Sequence, residues 1–137
     1  MDIGSEQAVQ LTQLAQRHHV VLVLAFGSAV SGKIHAGSDL DIAVQLAQDS
    51  LSLEAYGQLR SDLQELFPAR ELDLAILNHA DPLFMKHVLE RAVLLYGKEP
   101  DFAAFRLKAF HRYQDYRRFL AFEEQYVTAL LGRFGHG

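Results

Sequence analysis

Apolar and polar positions follow one another along this chain with two different periods, and the change of period predicts its helices and strands. Residues 20–26 form a continuous apolar run rich in Val and Leu, which is typical of a buried strand. Residues 40–46 and 71–77 alternate strictly, and this period of two indicates strands with one apolar face. A fourth strand is predicted over residues 92–96, where Gly97 closes it.

Apolar residues that recur every three or four positions predict the helices. The predicted helices cover residues 5–18, 51–67, 83–90 and 101–131. Asp49 or Ser50 is the expected N-cap of the second helix, and Asp81 is that of the third. His18 and His19 end the first helix, where we interpret them as a C-terminal cap rather than as a metal site.

Together these elements predict an α/β fold built on a small mixed sheet of about four strands. We expect the helices to pack mainly on one face of this sheet and the acidic side chains considered next to lie on the other. A chain of 137 residues fits a single globular unit. Within that unit, residues 1–98 are predicted to form the main domain, and residues 99–137 a C-terminal helical arm and tail.

Three aspartates stand at comparable places in two of the predicted strands. Asp39 and Asp41 begin the strand 40–46, and Asp73 lies in the strand 71–77. Side chains two apart on a strand point the same way, so Asp39 and Asp41 lie side by side. If the two strands are neighbours, three carboxylates converge, which is costly unless a cation lies between them. Mg²⁺ prefers such oxygen ligands and completes its shell with water and phosphate oxygens, which favours a nucleoside triphosphate as the ligand.

The spacing of these aspartates resembles the motif of the nucleotidyltransferase superfamily typified by DNA polymerase beta. That motif is Gly-Ser, a spacer of about this length, Asp-x-Asp and a later Asp, and the match extends over residues 20–97. The matching residues are Gly27, Ser28, Asp39, Asp41 and Asp73. The chain is also small, and in this it resembles the minimal nucleotidyltransferases. These proteins are commonly the antitoxins of HEPN/MNT toxin–antitoxin pairs.

The resemblance implies a nucleotidyltransferase fold and a specific role for each matching residue. Asp39, Asp41 and Asp73 would be the catalytic residues and the ligands of two Mg²⁺ ions. Gly27 and Ser28 would hold the β and γ phosphates of the substrate ATP through backbone N–H groups and the serine hydroxyl.

Two residues of the intervening loop are further candidates for nucleotide binding. They are Lys33 and Ser38, and Lys33 fits a solvated loop position equally well. Many minimal members of the family carry arginines just after Gly-Ser, whereas this chain has Ala29, Val30 and Ser31. The resemblance therefore implies no phosphate contact from residues 29–31.

The implied reaction is transfer of AMP from ATP to a tyrosine hydroxyl of a cognate HEPN-family ribonuclease toxin, which the protein would neutralise within a hetero-oligomer. The motif does not specify the acceptor, so two alternatives stay open. One is a nucleotidyltransferase that acts on a small molecule or an RNA end. The other is an antitoxin that acts by binding alone, although retention of all three aspartates argues against it.

The composition narrows the classes of function further. The chain has no cysteine, which excludes disulfides and thiolate zinc sites. Its net charge of −4 gives no general support for direct nucleic-acid binding. It has no run of about 18 apolar residues, and its first residues lack the pattern of a signal peptide. We therefore expect no membrane association and a cytoplasmic location.

The segment 101–131 combines aromatic and basic residues along one helical pattern. Phe105, Tyr113 and Phe119 are spread too widely around a helix to face one small domain together. Aromatic and Arg side chains are frequent anchors of protein interfaces, so we expect this arm to bind the partner protein. Simple cover for its own sheet is the alternative.

Overall fold

The computed structural model describes residues 3–27 and 39–134. Within these residues the chain forms α1 (Ser5–Arg17), β1 (Val20–Phe26), β2 (Leu40–Leu46), α2 (Leu53–Leu66), β3 (Leu72–Ile76), α3 (Pro82–Glu90), β4 (Val93–Tyr96) and α4 (Glu99–Phe134). The predicted elements are confirmed, with ends that shift by a few residues. The last of them is one continuous helix of 36 residues. None of the helices in the described ranges is long and apolar enough to cross a membrane.

The strands form one mixed sheet in the order β3-β2-β1-β4. β1 pairs antiparallel with both β2 and β4, whereas β2 pairs parallel with β3. A parallel pair needs a crossover connection, and α2 supplies it between the two strands that carry the aspartates. The predicted α/β fold with a four-stranded mixed sheet is therefore confirmed for the described part of the chain.

Helices cover both faces of the sheet, rather than mainly one face as the sequence pattern predicts. α1 and α2 pack on the face that contains Val23 and Ala25 of β1. α3 and the first turns of α4 pack on the opposite face, against Leu22 and Leu24. The reason lies in β1, which is apolar at every position and so must be buried on both sides.

The aspartates consequently do not lie on a helix-free face. Asp41 is two residues from Ala43, which belongs to the core beneath α3 and α4, and the two side chains point the same way. Likewise, Asp73 is two residues from Ala75, which packs against the same core. The acids therefore lie at one end of the face that α3 and α4 cover.

Side-chain caps fix where α2 and α3 begin. Ser52 caps α2, since its hydroxyl accepts a hydrogen bond from the backbone N–H of Ala55 at 3.1 Å. The expectation of Asp49 or Ser50 as this cap was wrong, because the helix begins later, at Leu53. Asp81 caps α3 as predicted, accepting from the N–H groups of Leu83 and Phe84; these bonds orient α3 over the sheet.

α1 ends at His18, which is its C-cap as predicted. The Nε2 atom of His18 lies 2.6 Å from Oδ2 of Asp62 on α2, and the two side chains are only 15% and 16% exposed. Arg17 reaches the same carboxylate at 3.3 Å. Because Asp62 contacts both the last residue of α1 and its C-cap, this cluster holds α1 and α2 together on their face of the sheet.

We expect Asp62→Asn to lower the free energy of unfolding by about 1 to 2 kcal/mol at neutral pH, because a neutral amide bonds more weakly to His18. The hydrogen bond with His18 is the main cause of the lowered pKa of Asp62, and it outweighs partial burial, which acts in the opposite direction. The stabilisation is therefore complete above the ordinary carboxyl pKa of 3.8 and is lost as the pH falls through the lowered value.

Urea denaturation of both proteins, from neutral pH to about pH 3, measures this difference. A gap in stability that stayed constant over the whole series would show that the ionised carboxylate of Asp62 is not its source.

Candidate active site

Asp41 occupies the second position of β2, between the two neighbouring strands. Its register partner on β1 is Phe26, and its partner on β3 is Asp73. Residues paired across adjacent strands have backbones about 4.8 Å apart and side chains on the same face. Parallel pairing of β2 with β3 therefore places the carboxylates of Asp41 and Asp73 side by side, as the sequence predicted.

Gly27, the first residue after β1, makes room for the carboxylate of Asp41. Its φ of +71° lies in the left-handed region, which residues other than glycine rarely adopt. A Cβ atom at this position would overlap Oδ2 of Asp41 and lie 3.2 Å from its Cγ. Gly27 is therefore required twice, for the turn that ends β1 and for the close approach of Asp41 to its backbone.

Backbone contacts fix the position of Asp39 at the start of β2. A guanidinium N–H of Arg70 donates to the carbonyl oxygen of Asp39 at 2.8 Å. The N–H of Leu40 donates to the carbonyl oxygen of Glu71 at the same distance. These bonds join the beginning of β2 to the segment before β3, and so hold Asp39 on the same edge of the sheet as Asp73.

The three aspartates interact electrostatically. Partial burial raises the pKa of Asp41, and the charges of Asp73 and Asp39 raise it further. Arg70 and His87 act in the opposite direction but do not cancel the effect. Ionisation of Asp41 in the folded protein therefore costs free energy, and a bound cation would offset this cost.

His87 is a neighbour of the site that the sequence pattern does not indicate, because it occupies an ordinary polar position of α3. Although it is exposed, its charge acts on Asp41. Phe84, one turn earlier on α3, packs edge-on against Phe26 with ring centroids 6.1 Å apart. Because Phe26 is the β1 partner of Asp41, this contact sets α3 beside the aspartates. The sequence does contain one signal for this arrangement. Phe84 and His87 are three residues apart on the helix that Asp81 caps, so their side chains lie on the same face.

The structure brings Gly27, Asp41 and Asp73 together, and it places Asp39 close enough to affect the pKa of Asp41. Ser28, Lys33 and Ser38, the other candidate nucleotide-binding residues, lie outside the described residues. Their predicted roles therefore remain predictions.

The aspartates were also predicted to form a magnesium centre. Over residues 3–27 and 39–134, no three His, Cys, Asp or Glu side chains are arranged so that they could hold a metal ion by themselves. The in-register pair of Asp41 and Asp73 fits Mg²⁺ in another way, because this ion is commonly bound by one or two carboxylates together with substrate phosphates and water. The donor set therefore suits a metal ion that arrives with a nucleotide.

Comparison with known proteins agrees with this geometry. Residues 9–101 match the family described as "Polymerase beta, Nucleotidyltransferase". The protein adenylyltransferase MntA of Shewanella oneidensis is 33% identical to this chain over 93 residues, which are 68% of this chain and 66% of that relative. The aligned part thus spans slightly less than two thirds of the relative's length.

Two solved structures share the fold. One is a toxin–antitoxin crystal structure with AMP-PNP, with a TM-score of 0.69 and 24% identity over 90% of this chain and 98% of that one. The other is a tri-AMPylated HEPN toxin of Shewanella oneidensis in complex with its MNT antitoxin, with a TM-score of 0.64 and 21% identity over 92% of this chain and 97% of that one. The family match covers more than half of the chain and includes Gly27 and all three aspartates, so this protein belongs to the polymerase beta nucleotidyltransferase family.

Proposed function

We propose that this protein transfers AMP from ATP to a tyrosine hydroxyl of a HEPN ribonuclease toxin and thereby acts as its antitoxin. The observation that carries the proposal is the pairing of Asp41 with Asp73 beside the Gly27 turn, in a chain of this family. The adenylyltransferase activity of the relative and the AMPylated toxin in the second solved structure support the choice of ATP and of a protein acceptor. A partner that acts on RNA also favours a cytoplasmic location.

In this reaction the oxygen of the acceptor tyrosine forms a bond to the α-phosphorus of ATP as the bond to pyrophosphate breaks. Asp39, Asp41 and Asp73 are the residues that would hold magnesium, which would supply positive charge to the attacking and leaving oxygens. Asp73 is exposed and lies beside Asp41, so it is placed to accept the proton of the incoming hydroxyl.

The Gly27 turn positions these groups for the nucleotide. By leaving space for the carboxylate of Asp41, Gly27 keeps that oxygen at the mouth of the turn. The backbone N–H groups of Gly27 and Ser28 are proposed to hold the β and γ phosphates, which would leave the α-phosphorus open to attack.

The arm, α4, has two parts with different surroundings. Phe102, Phe105 and Ala109 are buried in the core beneath the helix. Beyond them Phe119, Phe122 and Tyr126 are 57%, 69% and 60% exposed. Since these three aromatic residues share one side of the helix at spacings of three and four, we assign that side as the surface that binds the toxin. The helix Glu99–Phe134 thus begins in the core, and its distal turns carry the proposed interface.

We expect the protein to bind ATP tightly only when Mg²⁺ is present. Three neighbouring carboxylates repel one another and the triphosphate until a cation neutralises them. Isothermal titration calorimetry with ATP, first with Mg²⁺ and then with excess chelator, measures the effect. Equal affinity under both conditions would be incompatible with a metal site at these aspartates.

We expect Asp39→Asn and Asp41→Asn each to abolish transfer of radiolabelled AMP to the toxin, because each removes a proposed metal ligand while keeping the side-chain volume. Asp41→Asn should also raise the melting temperature of the metal-free protein at neutral pH, since the raised pKa of Asp41 means that its charge destabilises the fold. This gain disappears as the pH falls below the ordinary value of 3.8, where Asp41 is protonated in both states.

A variant that keeps full transfer activity would contradict the assignment of its aspartate. Asp62→Asn is the matched control, because it makes the same chemical change far along the chain at the α1–α2 contact and should retain transfer.

We expect Phe122→Asp with Tyr126→Asp to weaken toxin binding by about 2 kcal/mol or more, the scale on which interface anchors contribute. A truncation after Lys98 is less informative, because it also removes Phe102 and Phe105 from the core. Leu107→Asp is the matched control, since Leu107 is similarly exposed but lies about 22 Å before Phe122 along the axis of the same helix.

Calorimetric titration of the toxin with each variant measures the affinity. If Leu107→Asp weakens binding as much as the double variant does, a general effect on the helix accounts for the loss and the proposed surface is wrong.

A further inference from the structure

A groove of about 580 Å³ runs between α3 and the first half of α4. Leu89, Ala109 and Phe110 contribute its apolar lining. Neither Asp41 nor Asp73 lines it, so it is distinct from the candidate active site. It also lies before the exposed aromatic residues of the arm, and so it is separate from the surface assigned to toxin binding.

The charged side chains of the groove are mostly basic. They are Lys86, Arg106 and Arg117, with Glu90 as the single acid. Lys86 bonds to Glu90 at 2.9 Å, so these two charges largely offset one another. Arg106 stacks on the ring of Phe102 at 4.2 Å, which orients its guanidinium without neutralising it.

Two positive charges of the groove have no carboxylate partner among the residues that the structure describes. They are those of Arg106 and Arg117. This concentration of positive charge contrasts with the whole chain, whose net charge is −4. A basic groove on an acidic protein selects for an acidic ligand and attracts it over a distance.

A second depression lies beside the groove on α3, on the side of Phe84 and His87. It shares Lys86 and Glu90 with the groove. His87 is the α3 residue whose charge acts on Asp41. A polypeptide that lay in the groove could thus pass over α3 and present a side chain to the aspartates.

We propose that the groove between α3 and α4 binds an acidic segment of the acceptor protein close in its sequence to the tyrosine that receives AMP. This inference rests on the proposed function, and it adds a determinant of acceptor specificity. Arg106 and Arg117 bind the acidic side chains, while Leu89, Ala109 and Phe110 contact the apolar ones. A mixed apolar and basic lining that includes Glu90 suits a peptide better than RNA, whose binding needs phosphate contacts along its backbone.

The test uses two fluorescent peptides, each with one central tyrosine flanked by leucines. In the first peptide glutamates alternate with the leucines, and in the second glutamines replace the glutamates. Fluorescence anisotropy without nucleotide measures their binding to the full chain. We expect the acidic peptide to bind at least ~10-fold more tightly at low salt, and this preference to decrease as NaCl screens the charges.

The double variant Arg106→Glu with Arg117→Glu should lose the preference for the acidic peptide, and the milder Arg106→Gln with Arg117→Gln should reduce it. Arg118→Glu is the matched control, because Arg118 lies on the same helix, is 83% exposed and does not line the groove. Circular dichroism melts verify that each variant is folded.

Three results besides unchanged binding in the double variant would overturn the groove assignment: equal binding of the two peptides, an equal loss in Arg118→Glu, or tighter binding of a single-stranded RNA of the same charge. Binding is measured here without ATP. A failure of the wild-type protein to transfer AMP to its toxin would therefore overturn the proposed function alone, whereas unchanged peptide binding in the double variant would overturn the groove alone.

Discussion

Parallel pairing of β2 with β3 holds two like charges next to one another, and the rest of the structure makes that possible. Asp41 and Asp73 are register partners, and partial burial adds to the cost of the charge on Asp41. An isolated pair of strands would separate under such repulsion. Here the opposite face of both strands is buried under α1 and α2, and the crossover helix α2 fixes the register. The apolar core thus stabilises an arrangement of charge that is unfavourable by itself.

Gly27 and Phe26, at the end of β1, determine how closely that strand and α3 approach the pair of aspartates. The absence of a side chain at Gly27 lets the carboxylate of Asp41 approach the turn, and the contact of Phe26 with Phe84 brings α3 alongside. Each contact involves a residue adjacent to the end of β1. The place where β1 stops therefore determines the distance between the turn, the aspartates and α3.

Much of this arrangement could be predicted from the sequence, because side-chain period and motif spacing are local properties. The alternation around Asp41 and Asp73 predicted both strands and the face that they share, and the Gly-Ser turn marked the end of β1. Other features depend on tertiary packing. The continuous apolar run of β1 indicated burial but did not reveal that a pair of helices covers each face.

The start of α2 and the neighbourhood of His87 escaped prediction for the same reason. Asp49, Ser50 and Ser52 are all residue types that favour the N-cap position, so residue type alone does not single out Ser52. His87 is an ordinary polar helical position in the sequence, and it becomes a neighbour of Asp41 only because α3 packs beside the end of β1, where Phe84 contacts Phe26.

The continuity of α4 has a consequence for the lifetime of the protein in the cell. A helix of 36 residues is about 54 Å long, and the same rigid element contributes Phe102 and Phe105 to the core at one end and exposed aromatic residues at the other. A partner that binds only the helical form of the distal turns stabilises the folded state by mass action. Without such a partner, the exposed end would be the part of the helix that opens locally most often, and locally opened chains are the ones that proteases attack. If the proposed toxin binds there, the steady-state amount of this protein would depend on the amount of toxin.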